Sequence, residues 1–465
     1  MRRERARARG QAFVATSTVV VIATALSLLA AAGRDRPAPA RGGLAPSGSW
    51  TCPHGGDDAW VTSVFLANPG PADSTARLTG LGERAPRPAV TVEVPAGETV
   101  RVPTDATGRG DATFVEYFGG WIAAGWVTTS AAPRDGVAAE PCASGASRRW
   151  FVADGSTLQD QDSYVVIANP FDAPAVLDVA IHSPERAPVR DSAWTDLVVR
   201  PHRSVALRLD TKLEGEAVAA VDLEVSVGRV VAASLGVQDE TKIRSALGST
   251  ETATGAILPA IGGSGQAELI VFSVSSGSIR LQATELSDEP PRPAGGLTAQ
   301  EQGPRAAQAY AVPVDAGPSA VRLFVLDQAE ALGALRALGP GEDLGSTGGA
   351  ATPESTWIVL PATLGGEAPE PSLVLVNDGD QPVTARLELL GSAGGTAAAP
   401  ITVRVRPHGA AAVPPDFLAS APGGAVLVRA DDGELVALGA SSVPVAARAG
   451  GAYALSLGVP VPPRP

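Results

Sequence analysis

The chain has 465 residues, 45% of them apolar, 4% aromatic and 18% charged. Its net charge is −13, and the body is more acidic still, because the first ten residues carry five arginines and one glutamate. Such a length suggests roughly three domains with cores of their own, and an acidic body disfavours nucleic acid and anionic lipid as partners of those domains.

The basic stub, residues 1–10, leads into residues 11–32, a stretch without a charge, and then into a Pro/Ala-rich linker, residues 33–49. This order describes a transmembrane anchor or a signal peptide. The apolar stretch is long enough to cross a bilayer and longer than most signal cores, which favours an uncleaved single-pass anchor. Cleavage near Ala32 would instead release a secreted protein. Both outcomes leave the body outside the cytoplasm, since the arginines stay inside. The first partner expected is therefore the membrane. In an oxidising compartment Cys52 and Cys142, which have no CxxC spacing, are expected to form a disulfide.

Beyond the linker the chain repeats itself. Its three asparagines all end one kind of apolar run: Val64-Phe-Leu-Ala-Asn68-Pro, Val165-Val-Ile-Ala-Asn169-Pro and Leu373-Val-Leu-Val-Asn377-Asp-Gly. An Asn after four β-favouring residues is strand-into-turn chemistry, because its side chain bonds its own downstream backbone. Asn68, Asn169 and Asn377 are thus expected to be structural turn residues, each contributing about 1 kcal/mol. Asn68 and Asn169 are 101 residues apart, and Asn169 and Asn377 are 208 apart, so the unit is about a hundred residues with one degenerate copy between. Trp50, Trp150 and Trp357 precede the asparagines by 18, 19 and 20 residues. Hairpin signatures follow them, as in Val92-Glu-Val-Pro-Ala-Gly97 and Val403-Arg-Val-Arg-Pro-His408-Gly.

Four units are expected: 50–147, 148–253, a degenerate 254–352 in which Ser and Gly replace the turn asparagine, and 353–460. In the second, seven strands are predicted at 150–152, 164–168, 176–181, 194–199, 204–209, 219–225 and 229–235. Seven strands in a hundred residues fit an all-β fold of tandem immunoglobulin-like β-sandwich repeats. A β-propeller ranks second, because its 40–50-residue repeat would have to be doubled. Residues 288–303 read as an inserted loop. Residues 328–338 have a helical look, which the repeat register overrides in favour of strands around a turn.

The Cys52-Pro53 pair, the Val-x-Leu-x-Asn-Pro turns and the Val-x-Pro-x-Gly hairpins, together with the N-terminal apolar segment, resemble an actinobacterial family of secreted or membrane-anchored proteins known only as domain of unknown function 5719. The resemblance covers most of the body from Trp50 onward. It implies an envelope address and brings no activity and no site residues.

Motifs for catalysis are absent: there is no phosphate-binding loop, HExxH, GxSxG or SxxK. His202 and His408 follow the hairpin proline and read as exposed turn residues. His54, beside Asp57 and Asp58, lacks metal spacing and reads as part of a solvated loop. Asp105, Asp210 and Asp416 recur at strand ends, where caps are commoner than catalytic acids. No catalytic, cofactor or metal site is therefore expected. Tyr117, Phe118, Trp121 and Trp126 crowd one segment of the first unit, with Tyr117, Trp121 and Trp126 as a binding surface or, more commonly for such residues, as core.

The expected function is a non-enzymatic cell-envelope scaffold or spacer that contacts an envelope protein or glycan, with room for self-association at sheet edges. A carbohydrate-binding or polysaccharide-assembly accessory is the second reading, and a hydrolase with an unrecognised site the third.

Overall fold

Short runs of alternating apolar and polar residues, broken by Pro, Gly and Asp, give a chain that is almost wholly β. The computed structural model describes residues 47–130, 136–238, 242–261, 266–314, 317–338, 344–360, 370–392, 398–444 and 451–462. The basic stub, the apolar segment and the linker up to residue 46 lie outside the described residues. Among the described residues no helix is long and apolar enough to cross a membrane.

The first unit contains β1 (Gly48–Cys52), β2 (Val61–Ala67), β3 (Ser74–Leu81), β4 (Val90–Val94), β5 (Glu98–Pro103), β6 (Ala112–Phe118), β7 (Ala123–Thr129) and β8 (Val137–Pro141). The second contains β9 (Arg149–Val152), β10 (Gln161–Asn169), β11 (Ala175–His182), β12 (Leu197–Val199), β13 (Arg203–Arg208), β14 (Ala220–Val227), β15 (Val231–Gln238) and β16 (Lys242–Leu247). The third contains β17 (Gly255–Ile261), β18 (Gln266–Ser273), β19 (Ile279–Leu286), β20 (Arg292–Gln302), β21 (Ala307–Pro313), β22 (Pro318–Val325), β23 (Ala331–Leu338) and β24 (Leu344–Gly348). The fourth contains β25 (Thr356–Val359), β26 (Glu370–Asn377), β27 (Val383–Ser392), β28 (Ile401–Val405), β29 (Gly409–Ala412), a short helix α1 (Pro415–Ala419), β30 (Ala425–Ala430), β31 (Val436–Pro444) and β32 (Gly451–Leu457). A terminal β33 (Val459–Pro460) pairs with β25.

One strand order recurs throughout. The first, sixth, third and fourth strands of each unit make one sheet in that order, and the fifth, second, seventh and eighth make the other. Each unit is thus a sandwich of two antiparallel sheets, and period-two burial, as in β3 and β6, turns one face inward. In three units a tryptophan on the first strand fixes the sandwich. The indole N–H of Trp50 donates to Ile122 O at 2.9 Å, that of Trp150 to Val230 O at 2.6 Å, and that of Trp357 to Leu435 O at 2.7 Å. A large apolar ring is buried this way with its one polar atom satisfied.

The structure corrects the strand reading at several points. Each unit has an eighth strand. Trp194 lies in a 3-10 turn, Ser192–Trp194, which Asp191 caps by accepting from Ala193 N, so the fourth strand of the second unit is only Leu197–Val199. Residues 292–302 are a strand and not an inserted loop; Gly295 and Gly296, both at positive φ, let it bulge. Residues 331–338 are a strand after a turn in which Gln328 has φ 56°.

The units do not string out. Their eighth strands meet at the centre, where β8 packs on β16, β16 on β24, β24 on β32 and β32 on β8. Neighbours also join farther out, where the end of a third strand meets the start of the next unit's fifth. Ser204 N donates to Gly82 O at 3.2 Å, and Ala410 N to Ser287 O at 2.9 Å. His182 Nδ1 donates to Arg305 O at 2.8 Å. The fourth unit closes on the first, with β27 pairing parallel to β5 through Gly391↔Glu98 and Ser392↔Thr99. Thr99 Oγ1 donates to Leu390 O and accepts from Ala425 N. Sheet faces pack across these seams: Phe151, Ala153, Val218 and Ala220 of the second unit bury against Ile270, Phe272, Ala307 and Ala334 of the third. A spacer built for reach is therefore the wrong picture, since four units closed head to tail gain cohesion and lose length.

Candidate functional site

The turn asparagines are buried and fully engaged. Asn169 Oδ1 accepts from Phe171 N at 3.1 Å, and its Nδ2 donates to Ala173 O, Val199 O and Arg200 O. Asn377 makes the same set with Gly379 N, Gln381 O, Val405 O and Arg406 O, and Asn68 makes most of it with Gly70 N, Ala72 O and Val94 O. Each amide thus closes its own turn and also holds the end of the fourth strand, tying one sheet to the other. In the third unit Ser273 occupies this place, and the amide comes from elsewhere. Gln302, 1% exposed, donates from Nε2 to Val271 O and Ala306 O.

The next turn has its own rule. Gly97, His202, Arg305 and His408 share one position and have φ of 73°, 51°, 48° and 47°. His202 and His408 then reach Asp172 at 2.7 Å and Asp380 at 2.8 Å, so they close turns at the surface.

Cys52 and Cys142 form a disulfide, with an S–S distance of 2.04 Å. Residues 119–300 match DUF5719, a family of unknown function. That stretch runs from the end of β6 through the whole second unit and into β20, so the expected resemblance is shown for that part of the chain. No curated protein matches. Among solved structures the chain is similar to trypsin-activated alpha-2-macroglobulin from Escherichia coli, with 14% identity over 82% of this chain and 30% of that one. The TM-score of 0.12 carries no argument about fold or function.

The aromatic cluster of the first unit is mostly core. Trp126 is 2% and Tyr117 7% exposed, because both point between the sheets, and they cannot form a binding surface. Trp121 is half-buried, edge-on to Trp50 at 6.1 Å. Phe118 is the exposed ring of that cluster, at 50%.

His54 is fully buried, contrary to the solvated loop expected. Its Nδ1–H donates to Gly55 O at 2.5 Å and its Nε2 accepts from Thr113 Oγ1 at 2.8 Å, which fixes a neutral tautomer. Burial pushes its pKa down to about 4. Among the described residues no group of three His, Cys, Asp or Glu could hold a metal ion. Asp105 and Asp416 are exposed, and Asp210 accepts from Arg208, so these three carboxylates share no site.

The chemistry the sequence did not show lies where the second and third units meet. Asp154 follows β9, Arg244 stands on β16, and Arg336 arrives from β23, and all are buried. Arg336 Nε donates to Asp154, its Nη2 donates to Gly155 O at 2.6 Å, and its Nη1 donates to Ala217 O at 3.1 Å. Arg244 Nε lies 3.4 Å from Asp154 Oδ2. Burial alone would raise the pKa of Asp154, but the two guanidinium charges outweigh it and hold it at about 2. Glu140, on β8, goes the other way: burial raises it well above the ordinary value of 4.5. Two cavities flank the cluster. One of about 140 Å³ is lined by Glu140, Asp154 and Gly333, and one of about 640 Å³ by Arg244, Arg336 and Glu268.

Proposed function

We propose that the chain is a non-enzymatic protein of the cell envelope in which four closed β-sandwich units form one interaction module. The observation that carries this reading is the closure of the fourth unit on the first. A closed ring offers a fixed outer surface assembled from several units, which suits recognition of a partner larger than any one sandwich. The disulfide supports an oxidising compartment, and the N-terminal apolar segment supports a single-pass anchor or a signal peptide with the body outside the cytoplasm.

Affinity capture of the full chain from envelope extracts tests the reading when repeated with Thr99→Arg, which puts a charge into the closing seam. The expected outcome is a defined protein partner held by the closed chain and lost by the opened one. Turnover of an envelope polymer by the purified chain, or equal capture by both forms, would overturn it.

A glycan partner is the second reading, favoured by the exposed Phe118, three residues before the half-buried Trp121. Phe118→Ser is then expected to abolish binding on a glycan array without moving the melting temperature.

A further inference from the structure

The larger cavity has the size of a pocket for a small organic ligand, for which roughly 300–1,000 Å³ is usual. Leu158, Ala267, Val312 and Leu344 make it mostly apolar. Its two arginines differ in what they have left to bind. Arg336 has Asp154, Gly155 O and Ala217 O, with Glu268 at 3.5 Å from Nη1. Arg244 is 4% exposed, yet among the described residues its one ion-pair partner is Asp154, its Nε makes no hydrogen bond, and no oxygen accepts from its terminal nitrogens. A guanidinium carries five N–H donors, and burying them unpaired is unfavourable.

Gly236 makes the room for this head group, since a Cβ there would stand 2.6 Å from Arg244 Cζ. The guanidinium therefore lies over bare backbone at the cavity wall. Charge is unbalanced as well: Arg244 and Arg336 share the buried carboxylate of Asp154, while the Glu268 side chain, 53% exposed, is largely in water.

We propose that this cavity binds a small amphipathic monocarboxylate, with its carboxylate on the Arg244 guanidinium and its apolar body along Leu158, Val312 and Leu344. One unmatched guanidinium balances one negative charge, and its fork fits the two oxygens of a carboxylate. A phosphate dianion would bring a second charge toward Asp154 and Glu268 with nothing to balance it. A bare inorganic anion would leave the apolar walls in contact with water.

Isothermal titration of the full chain with decanoate tests this, with 1-decanol and decylammonium as neutral and cationic probes of the same tail. Saturable binding of one decanoate is expected, with the other two probes weaker by roughly tenfold or more, the scale of one charged hydrogen-bonded contact. Arg244→Met is expected to reduce decanoate affinity to that of decanol. Should that variant fail to fold, Leu158→Glu decides, because Leu158 is 40% exposed and its replacement leaves the core alone. A carboxylate there should weaken decanoate roughly tenfold and leave decanol unchanged. No decanoate binding at millimolar concentration, equal affinity for the three probes, or undiminished binding by Leu158→Glu would overturn the proposal.

Discussion

Four residues after its tryptophan the first unit carries His54, and at the same place the second carries Asp154. Both are buried, and their surroundings treat charge in opposite ways. His54 is kept neutral by burial, and its two ring nitrogens are satisfied within its own unit, by Gly55 and Thr113. Asp154 is kept charged by a guanidinium that arrives from the next unit. The repeat thus copies a backbone frame while each copy chooses its own buried chemistry. A unit satisfied from within is electrically self-contained, and a unit satisfied from outside depends on its neighbour.

The largest expected effect comes from breaking the second arrangement. Asp154→Asn leaves two buried guanidiniums without their one buried counter-charge and is expected to cost about 3–5 kcal/mol in urea unfolding. Replacing all three together, Asp154→Leu with Arg244→Met and Arg336→Met, should cost less than the single change, because an apolar cluster leaves no orphaned charge. Equal losses in the two would mean that packing and not charge holds this seam.

His54 predicts a pH dependence of definite sign. Its folded pKa, about 4, is below the ordinary 6.5, so the unfolded chain takes up a proton first as pH falls. Its contribution is complete above pH 6.5 and is lost between there and pH 4, by roughly 3 kcal/mol. His54→Gln should flatten that part of the stability curve; an unchanged slope would contradict the neutral tautomer.

Asn169→Ala removes an amide with several buried partners and is expected to cost about 2 kcal/mol or more, above the single turn bond anticipated from sequence. Gln302→Ala should cost a similar amount in the third unit, and a negligible effect there would show that the substitute amide is not equivalent. Glu140→Gln is the smallest change. A raised folded pKa gives stability that is full below about pH 4.5 and lost as pH rises. The variant should therefore gain stability relative to the parent on going from pH 5 to pH 8.

Much of the frame was legible because strand geometry is local. The tryptophans and asparagines recur in register, and the Pro-x-Gly hairpins lie between fixed strands. The eighth strands were missed because runs such as Val137-Ala-Ala-Glu-Pro141 are short, rich in Ala and buried on all sides at the centre, so they show no alternation. Closure could not be read, since the partners Thr99 and Leu390 are 291 positions apart. The same holds for Arg336 and Asp154, 182 apart, whose pairing depends on how two units meet. Gln302 was hidden because its amide reaches across to Val271 O, 31 positions away on β18. For Tyr117 and Trp126 the commoner fate of large aromatics on strands was already the better guide, and it pointed to core.

Small-angle X-ray scattering of residues 47–465 tests the closed arrangement most directly. A closed body of that length predicts a radius of gyration of about 22 Å, whereas a string of four separate sandwiches would give roughly twice that. A value near 22 Å that rises in Thr99→Arg supports closure through the seam between β27 and β5. A value near 40 Å for the unaltered chain would contradict it.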